Sequence, residues 1–214
     1  MNSDIVSYYS DRANEYENVY SKPERQGDLL IAGQILQGIF AEKDVLEIAC
    51  GTGYWTQKIS VTAKNILATD VNGSVIEIAK SKKYAHAKVN FQIADIYNLA
   101  GTAEHENLFG GFIWSHIKLE DLYSFIDKVG SLVRKGGTIV FMDNNYVDGS
   151  NLPLTDIDDL GNTYQTRTLE NGTTYKVLKN FATEEFMKLK FCNKVLDMKF
   201  IKLQYYWILK CQFI

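Results

Sequence analysis

The sequence predicts an α/β fold, doubly wound around a seven-stranded, mostly parallel sheet, and three observations carry that expectation. Between residues 44 and 142, short apolar runs alternate with segments of helical period, which calls for parallel strands covered on both faces. The run Val45-Leu46-Glu47-Ile48-Ala49 breaks into a tight turn, Cys50-Gly51-Thr52-Gly53, and re-forms at once as a helix. The chain ends in two apolar stretches close enough to form a hairpin, so the last strand is expected to run antiparallel.

Residues 1–40 read as helical. Residues 7–20 carry Tyr8, Tyr9, Tyr16 and Tyr20 on a polar background of Asp11, Arg12, Glu15 and Glu17, so this helix either packs on the sheet or forms a lid. A second helix is expected to be capped by Asp28, with Leu29, Ala32, Leu36 and Ile39 facing the core. Strand 44–49 leads to a helix from Tyr54, and strand 66–70 to a helix opened by Ser74 and Glu77 at capping-box spacing. Strand 88–93 follows. Strand 111–114 precedes a helix with Leu122, Phe125, Ile126, Val129 and Leu132 inward, closed by Gly136 ahead of strand 138–142. Residues 143–173 are polar and turn-rich, too long for a simple connection. A helix from Thr183 then leads to strands 195–198 and 203–213.

Gly51 and Gly53 lack Cβ atoms, so the backbone between them can take positive φ and let a ligand lie against its N–H groups. A dinucleotide fingerprint would need a third glycine where Tyr54 or Thr56 stands, and a phosphate loop would need Lys then Ser or Thr after Gly53. What remains is a small ligand with a ribose. Asp70 ends the second apolar strand 19 positions after Gly51, where a carboxylate can bind ribose hydroxyls.

The ordered set Glu47-x-Ala49-x-Gly51-x-Gly53, Asp70 and Phe91-Gln92-Ile93-Ala94-Asp95-Ile96 resembles the cofactor motifs of class I S-adenosylmethionine-dependent methyltransferases. Residues 111–116 resemble that family's fourth strand, and residues 132–137 its turn into the fifth. Two positions depart: Ala49 stands at the family's first glycine, and Gly110-Gly111 where an acid often opens the fourth strand. The resemblance implies a Rossmann-like methyltransferase fold with an antiparallel last strand and an N-terminal helical lid, spanning residues 1–214 as one domain. Within it fall N-terminal helices (1–40), a cofactor core (41–143), an insertion near the acceptor (144–173) and the C-terminal part of the sheet (174–214).

The same resemblance implies site residues. Glu47, Ala49, Gly51 and Gly53 would lie along the methionine moiety of S-adenosylmethionine or its product S-adenosylhomocysteine. Asp70 would hold the ribose, Val71, Asp95 and Ile96 would surround the adenine, Trp114 would line the sulfonium end, and Tyr16 would come from the lid. Asp95 could equally be a helix cap. His116 is the one histidine at the end of an expected strand, suited to take a proton from an acceptor or else structural. Asp143-Asn144-Asn145-Tyr146 resembles the D-P-P-Y of adenine-amine methyltransferases without its prolines. Asn144, with Tyr9, Tyr164 and Arg167, is the expected acceptor contact. Residues 161–167 and 176–181 resemble a recurring signature of one subgroup of the family.

Composition bounds the function. With 46% hydrophobic residues and 214 in all, one good core can be buried. A net charge of −3 gives no electrostatic reason to bind nucleic acid, and Lys80, Lys82 and Lys83 suit the last turn of a helix instead. The three cysteines are scattered, which argues against both a disulfide framework and a metal site. No apolar run has membrane-spanning length, so a cytoplasmic protein is expected, and the resemblance implies that it is an enzyme methylating O or N of a small molecule. The alternatives are a protein or nucleic-acid methyltransferase, a cofactor-binding module without turnover, and, with less support, a nucleotide-dependent oxidoreductase.

Overall fold

The computed structural model describes residues 3–13 and 15–214, with backbone alone for residues 3–6. Strands β1 (Asp44–Ile48), β2 (Asn65–Asp70), β3 (Lys88–Ile93), β4 (His105–Gly111) and β5 (Val133–Asn144) are parallel, and β9 (Val195–Lys202) and β10 (Tyr206–Phe213) close the sheet antiparallel. Their order is β3-β2-β1-β4-β5-β10-β9. Period-two alternation explains the two covered faces. Val140, Met142 and Ile208 pack on one side with Leu36 and Phe40 of helix α2 (Gln26–Phe40) and Ile59 of helix α3 (Tyr54–Ile59). Ile139, Phe141, Trp207 and Leu209 pack on the other, against Phe125 and Val129 of helix α5 (Leu122–Leu132) and Phe191 of helix α6 (Glu184–Phe191).

Several local expectations change. The segment expected as one helix over residues 7–20 is helix α1 (Ser3–Asp11), a turn, and a 3₁₀ turn over Tyr16–Tyr20. Tertiary contacts break it: Tyr8 is drawn against Leu169 and Val177, while Tyr20 stacks on Tyr54 with centroids 3.8 Å apart. Asp28 does not cap α2, because a 3₁₀ turn at Pro23–Arg25 starts the helix earlier, and its carboxylate accepts from the Tyr205 N–H instead. Ser74 and Glu77 form no capping box. Helix α4 (Gly73–Lys80) starts from Asn72, Ser74 Oγ lies 3.3 Å from Ser10 Oγ, and Glu77 pairs with Lys80. Strand β4 lies earlier than expected, and Trp114 sits on the turn after it.

Residues 174–178 are not part of the main sheet. After β5 the chain builds a separate antiparallel sheet of β6 (Asp156–Ile157), β7 (Thr163–Thr168) and β8 (Thr174–Leu178), so the insertion runs through β8. Arg167 on β7 lies beside Tyr8, and the Tyr175 hydroxyl of β8 donates to Asp11, tying this small sheet to α1. Helix α1 therefore bridges the small sheet and α4. Among the described residues, no helix is long and apolar enough to cross a membrane.

Candidate active site

Strands β1, β2, β3 and β4 end at one edge of the sheet, where ligands bind in open α/β folds. The loops there enclose a cavity of about 760 Å³ of space open to solvent. Ala49 and Gly51 line it, with φ of 53° and 54°, and a Cβ on Gly51 would point toward the Tyr16 ring at an ordinary contact distance of 3.7 Å. Bare backbone at Gly51 thus faces a gap that a ligand can fill. Asp70 lines the same cavity: Oδ2 accepts from the Gly51 N–H and Oδ1 from the Asn72 N–H, each at 2.9 Å. Burial raises its pKa, opposed by the backbone N–H groups of Asn72, Gly51 and Val71, and the two oxygens keep lone-pair capacity for a hydroxyl. Asp95, Ile96 and Val71 complete the wall, with Thr69, Asn72 and Val75 added by the fold. Asp95 lines the cavity and also accepts from the Tyr97 N–H at 3.0 Å, capping a 3₁₀ turn.

Three expected cofactor contacts lie elsewhere. Glu47 points to the opposite face from Leu46 and Ile48, as strand alternation requires, and its buried carboxyl is pushed up to about 8 by burial. Gly53 answers a packing demand, since a Cβ there would come within 2.7 Å of the Tyr84 hydroxyl and 3.0 Å of Ala79 Cβ. Trp114 is buried between Phe125, Phe141 and Phe191, stacked on the last at 5.6 Å, so it belongs to the core under the sheet. Phe112 and Ile113 line the cavity in its place, and Phe112 takes a φ of 60°, uncommon for a bulky residue.

A second, wider cavity lies between α1, the small sheet and the loop after β5. Asn144 and Arg167 line it, as expected for acceptor contacts, whereas Tyr164 does not. Its hydroxyl donates to Asp158 at 2.9 Å and Lys176 covers its ring, which keeps it on the outer side of β7. Tyr9, Tyr16, Phe112 and His116 line both cavities. These four form the shared wall.

His116 is buried on the turn after β4. Its Nδ1 lies 2.7 Å from the Leu178 carbonyl, which can only accept, so Nδ1 carries the proton and Nε2 accepts from the Tyr9 hydroxyl at 2.6 Å. Burial, then Lys179 and Arg167, push the imidazole pKa well below 6.5, so the ring is neutral. Beneath it Lys179 donates to Ser115 Oγ at 2.6 Å and to Asp143 at 3.1 Å, and Asp143 accepts from the Ser115 and Asn144 N–H groups. Asn162 Oδ1 accepts from the Leu119 N–H and Asn180 donates to the Ile117 carbonyl. The two stretches noted as a recurring signature thus clamp the His116 turn. No local pattern pairs Asp143 with Lys179 or marks Arg12 and Arg25, which also line the second cavity.

Residues 45–137 match the family described as "Methyltransferase domain". Residues 45–137 are therefore similar to the methyltransferase domains of that family. The chain is 27% identical over 137 residues to a malonyl-[acyl-carrier protein] O-methyltransferase of Ilyobacter polytropus, covering 62% of the chain and 49% of the relative. It therefore spans about half the length of that relative. An uncharacterized methyltransferase of Anoxybacillus flavithermus is 25% identical, with 69% and 71% covered. Among solved structures, a DhpI-SAH complex superposes with a TM-score of 0.79 at 22% identity, over 97% of this chain and 94% of that one. At that identity the likeness supports the fold: an α/β sheet of seven strands with the last antiparallel. The cofactor of such methyltransferases is S-adenosylmethionine.

Proposed function

We propose that this protein transfers the cofactor's methyl group to oxygen or nitrogen of a small molecule held in the second cavity. One observation carries the reading: the two cavities meet at Tyr9, Tyr16, Phe112 and His116, so ligands in each can approach across a single wall. The residues present suit the cofactor. Asp70 offers lone pairs to ribose hydroxyls, the bare backbone at Gly51 beside Ala49 accommodates the methionine chain, and Val71, Asp95 and Ile96 suit an adenine. When bound, the sulfonium supplies an electrophilic methyl group, and the protein contributes position and electrostatics.

At the wall, a proton leaving an acceptor hydroxyl can pass to the Tyr9 oxygen while the Tyr9 proton moves to Nε2 of His116. Nε2 is the ring's one unprotonated nitrogen, which makes His116 the candidate base. Tyr16 covers the cofactor side. The relatives named for malonyl-[acyl-carrier protein] favour a small acyl-type acceptor over nucleic acid. A cytoplasmic setting accords with this reading.

Calorimetry with S-adenosylhomocysteine tests the cofactor half. Binding is expected, and Asp70→Ala should weaken it about tenfold or more, as removal of a charged hydrogen-bond partner does. Binding of NAD in its place would overturn the assignment. The acceptor half is tested by methyl incorporation from labelled cofactor into fractions of small molecules, protein and nucleic acid, with label expected in the first.

A further inference from the structure

The second cavity is cationic in a protein whose net charge is −3. Arg12, Lys22, Arg25, Arg167 and Lys179 line it, against Glu15 as the one lining acid among the described residues. Lys179 is neutralised by Asp143, and Lys22 donates to the Ser150 carbonyl. The three arginines are not neutralised: among the described residues, none has a carboxylate partner within ion-pair distance.

Arg25 is only 5% exposed, and its guanidinium donates to Ser150 Oγ, the Ser150 carbonyl and Asn144 Oδ1, all neutral, with the Tyr205 and Tyr206 rings alongside. Arg167 bonds Gln165 Oε1 and Tyr8, leaving donors of its five unused, and Arg12 stacks on Tyr8 and Tyr16. Arg12 and Arg167 both lie over the Tyr8 ring, at 5.6 and 5.5 Å from its centroid. Gathering like charges and burying a guanidinium without a counter-ion is unfavourable, and a bound anion relieves it. Arginine is also the side chain whose planar fork matches carboxylate and phosphate oxygens in pairs.

We infer that the second cavity binds an acceptor carrying an ionised oxyanion, of the carboxylate or phosphate class, seated on Arg12, Arg25 and Arg167. This rests on the methyltransferase reading for the word acceptor, and on the arginines alone for the anion. The seat adjoins the shared wall, because Arg12 lies 5.6 Å from the Tyr16 ring centroid and the field of Arg167 acts on both Tyr9 and His116. An anion there would weaken the field of Arg167, which adds to burial and Lys179 in holding the His116 pKa down.

The test is direct binding to the full chain saturated with S-adenosylhomocysteine, at constant ionic strength. Malonate and inorganic phosphate are titrated separately by calorimetry, with chloride as the control, so that one arm or the other identifies the oxyanion. At least one is expected to bind, and Arg167→Gln and Arg12→Gln are each expected to weaken it about tenfold or more. S-adenosylhomocysteine affinity should stay unchanged in both variants, which shows that they fold and separates this proposal from the cofactor assignment. If neither oxyanion binds above the chloride control, or if both variants bind as tightly as the parent, the inference is overturned.

Discussion

The Tyr9 hydroxyl donates to His116 Nε2 across 2.6 Å and 107 positions of sequence, joining the N-terminal helix to the turn after β4. The bond fixes which nitrogen faces the shared wall, and it makes the proposed base depend on a residue of another element.

His116→Ala is expected to lower turnover by about 100-fold or more, the scale of a lost acid-base group, with S-adenosylhomocysteine affinity nearly unchanged. Tyr9→Phe should reproduce part of that loss. Because the imidazole pKa lies well below 6.5, the wild-type rate should be flat around neutrality and fall only on the acid side, with the fall absent in His116→Ala. Stopped-time assays across pH on the true acceptor measure this. Full activity in the alanine variant would return His116 to a structural role.

The pair Lys179–Asp143 is buried on both sides, at 5% and 1% side-chain exposure. Removing one partner strands the other charge, so Lys179→Met should cost roughly 3–5 kcal/mol in urea unfolding, and Asp143→Asn added to it should recover a large part. Equal loss in the single and double variants would show that the ion pair is not the reason.

Glu47 titrates upward. Its pKa is raised by burial from 4.5 to about 8 in the fold, so its contribution to stability is full below about 4.5 and is lost as pH rises through 8. Glu47→Gln should therefore gain on the wild type progressively between those values when melting curves are compared. A difference that stays constant with pH would mean that the carboxyl is ionised throughout.

Ala49 holds a φ of 53°, a conformation that costs an L-residue energy and a glycine little. Ala49→Gly should stabilise the fold by up to about 1 kcal/mol and leave cofactor affinity within a few fold. Destabilisation would show that the methyl group packs better than the strain costs.

The N-terminal segment bridges the small sheet and α4 above the cavity, through Tyr175–Asp11 and Ser10–Ser74. Amide exchange in residues 7–13 and 15–20 should slow when S-adenosylhomocysteine is added. No change would assign the segment to packing.

By itself, the sequence determined the sheet and the edge where the ligand site forms. Those depend on local signals: the alternation of apolar runs, the turn at Gly51, and an acid at the end of β2 can each be read within a few residues. Tertiary structure decided the rest, because the remaining groups acquire meaning only from partners far along the chain. Glu47 and Trp114 carry the residue types a site would want, yet the pleat turns one away and the packing of Phe191 claims the other. Lys179 and Asn180 belong to a stretch noted only as a recurring signature, and they gain a role once β8 lies beside the His116 turn, where burial makes their hydrogen bonds obligatory. Arg12, Arg25 and Arg167 are 155 residues apart from first to last, and no spacing rule links them. Their shared cavity exists because α1 and the small sheet close on the sheet edge, and the like charges meet there through the fold alone.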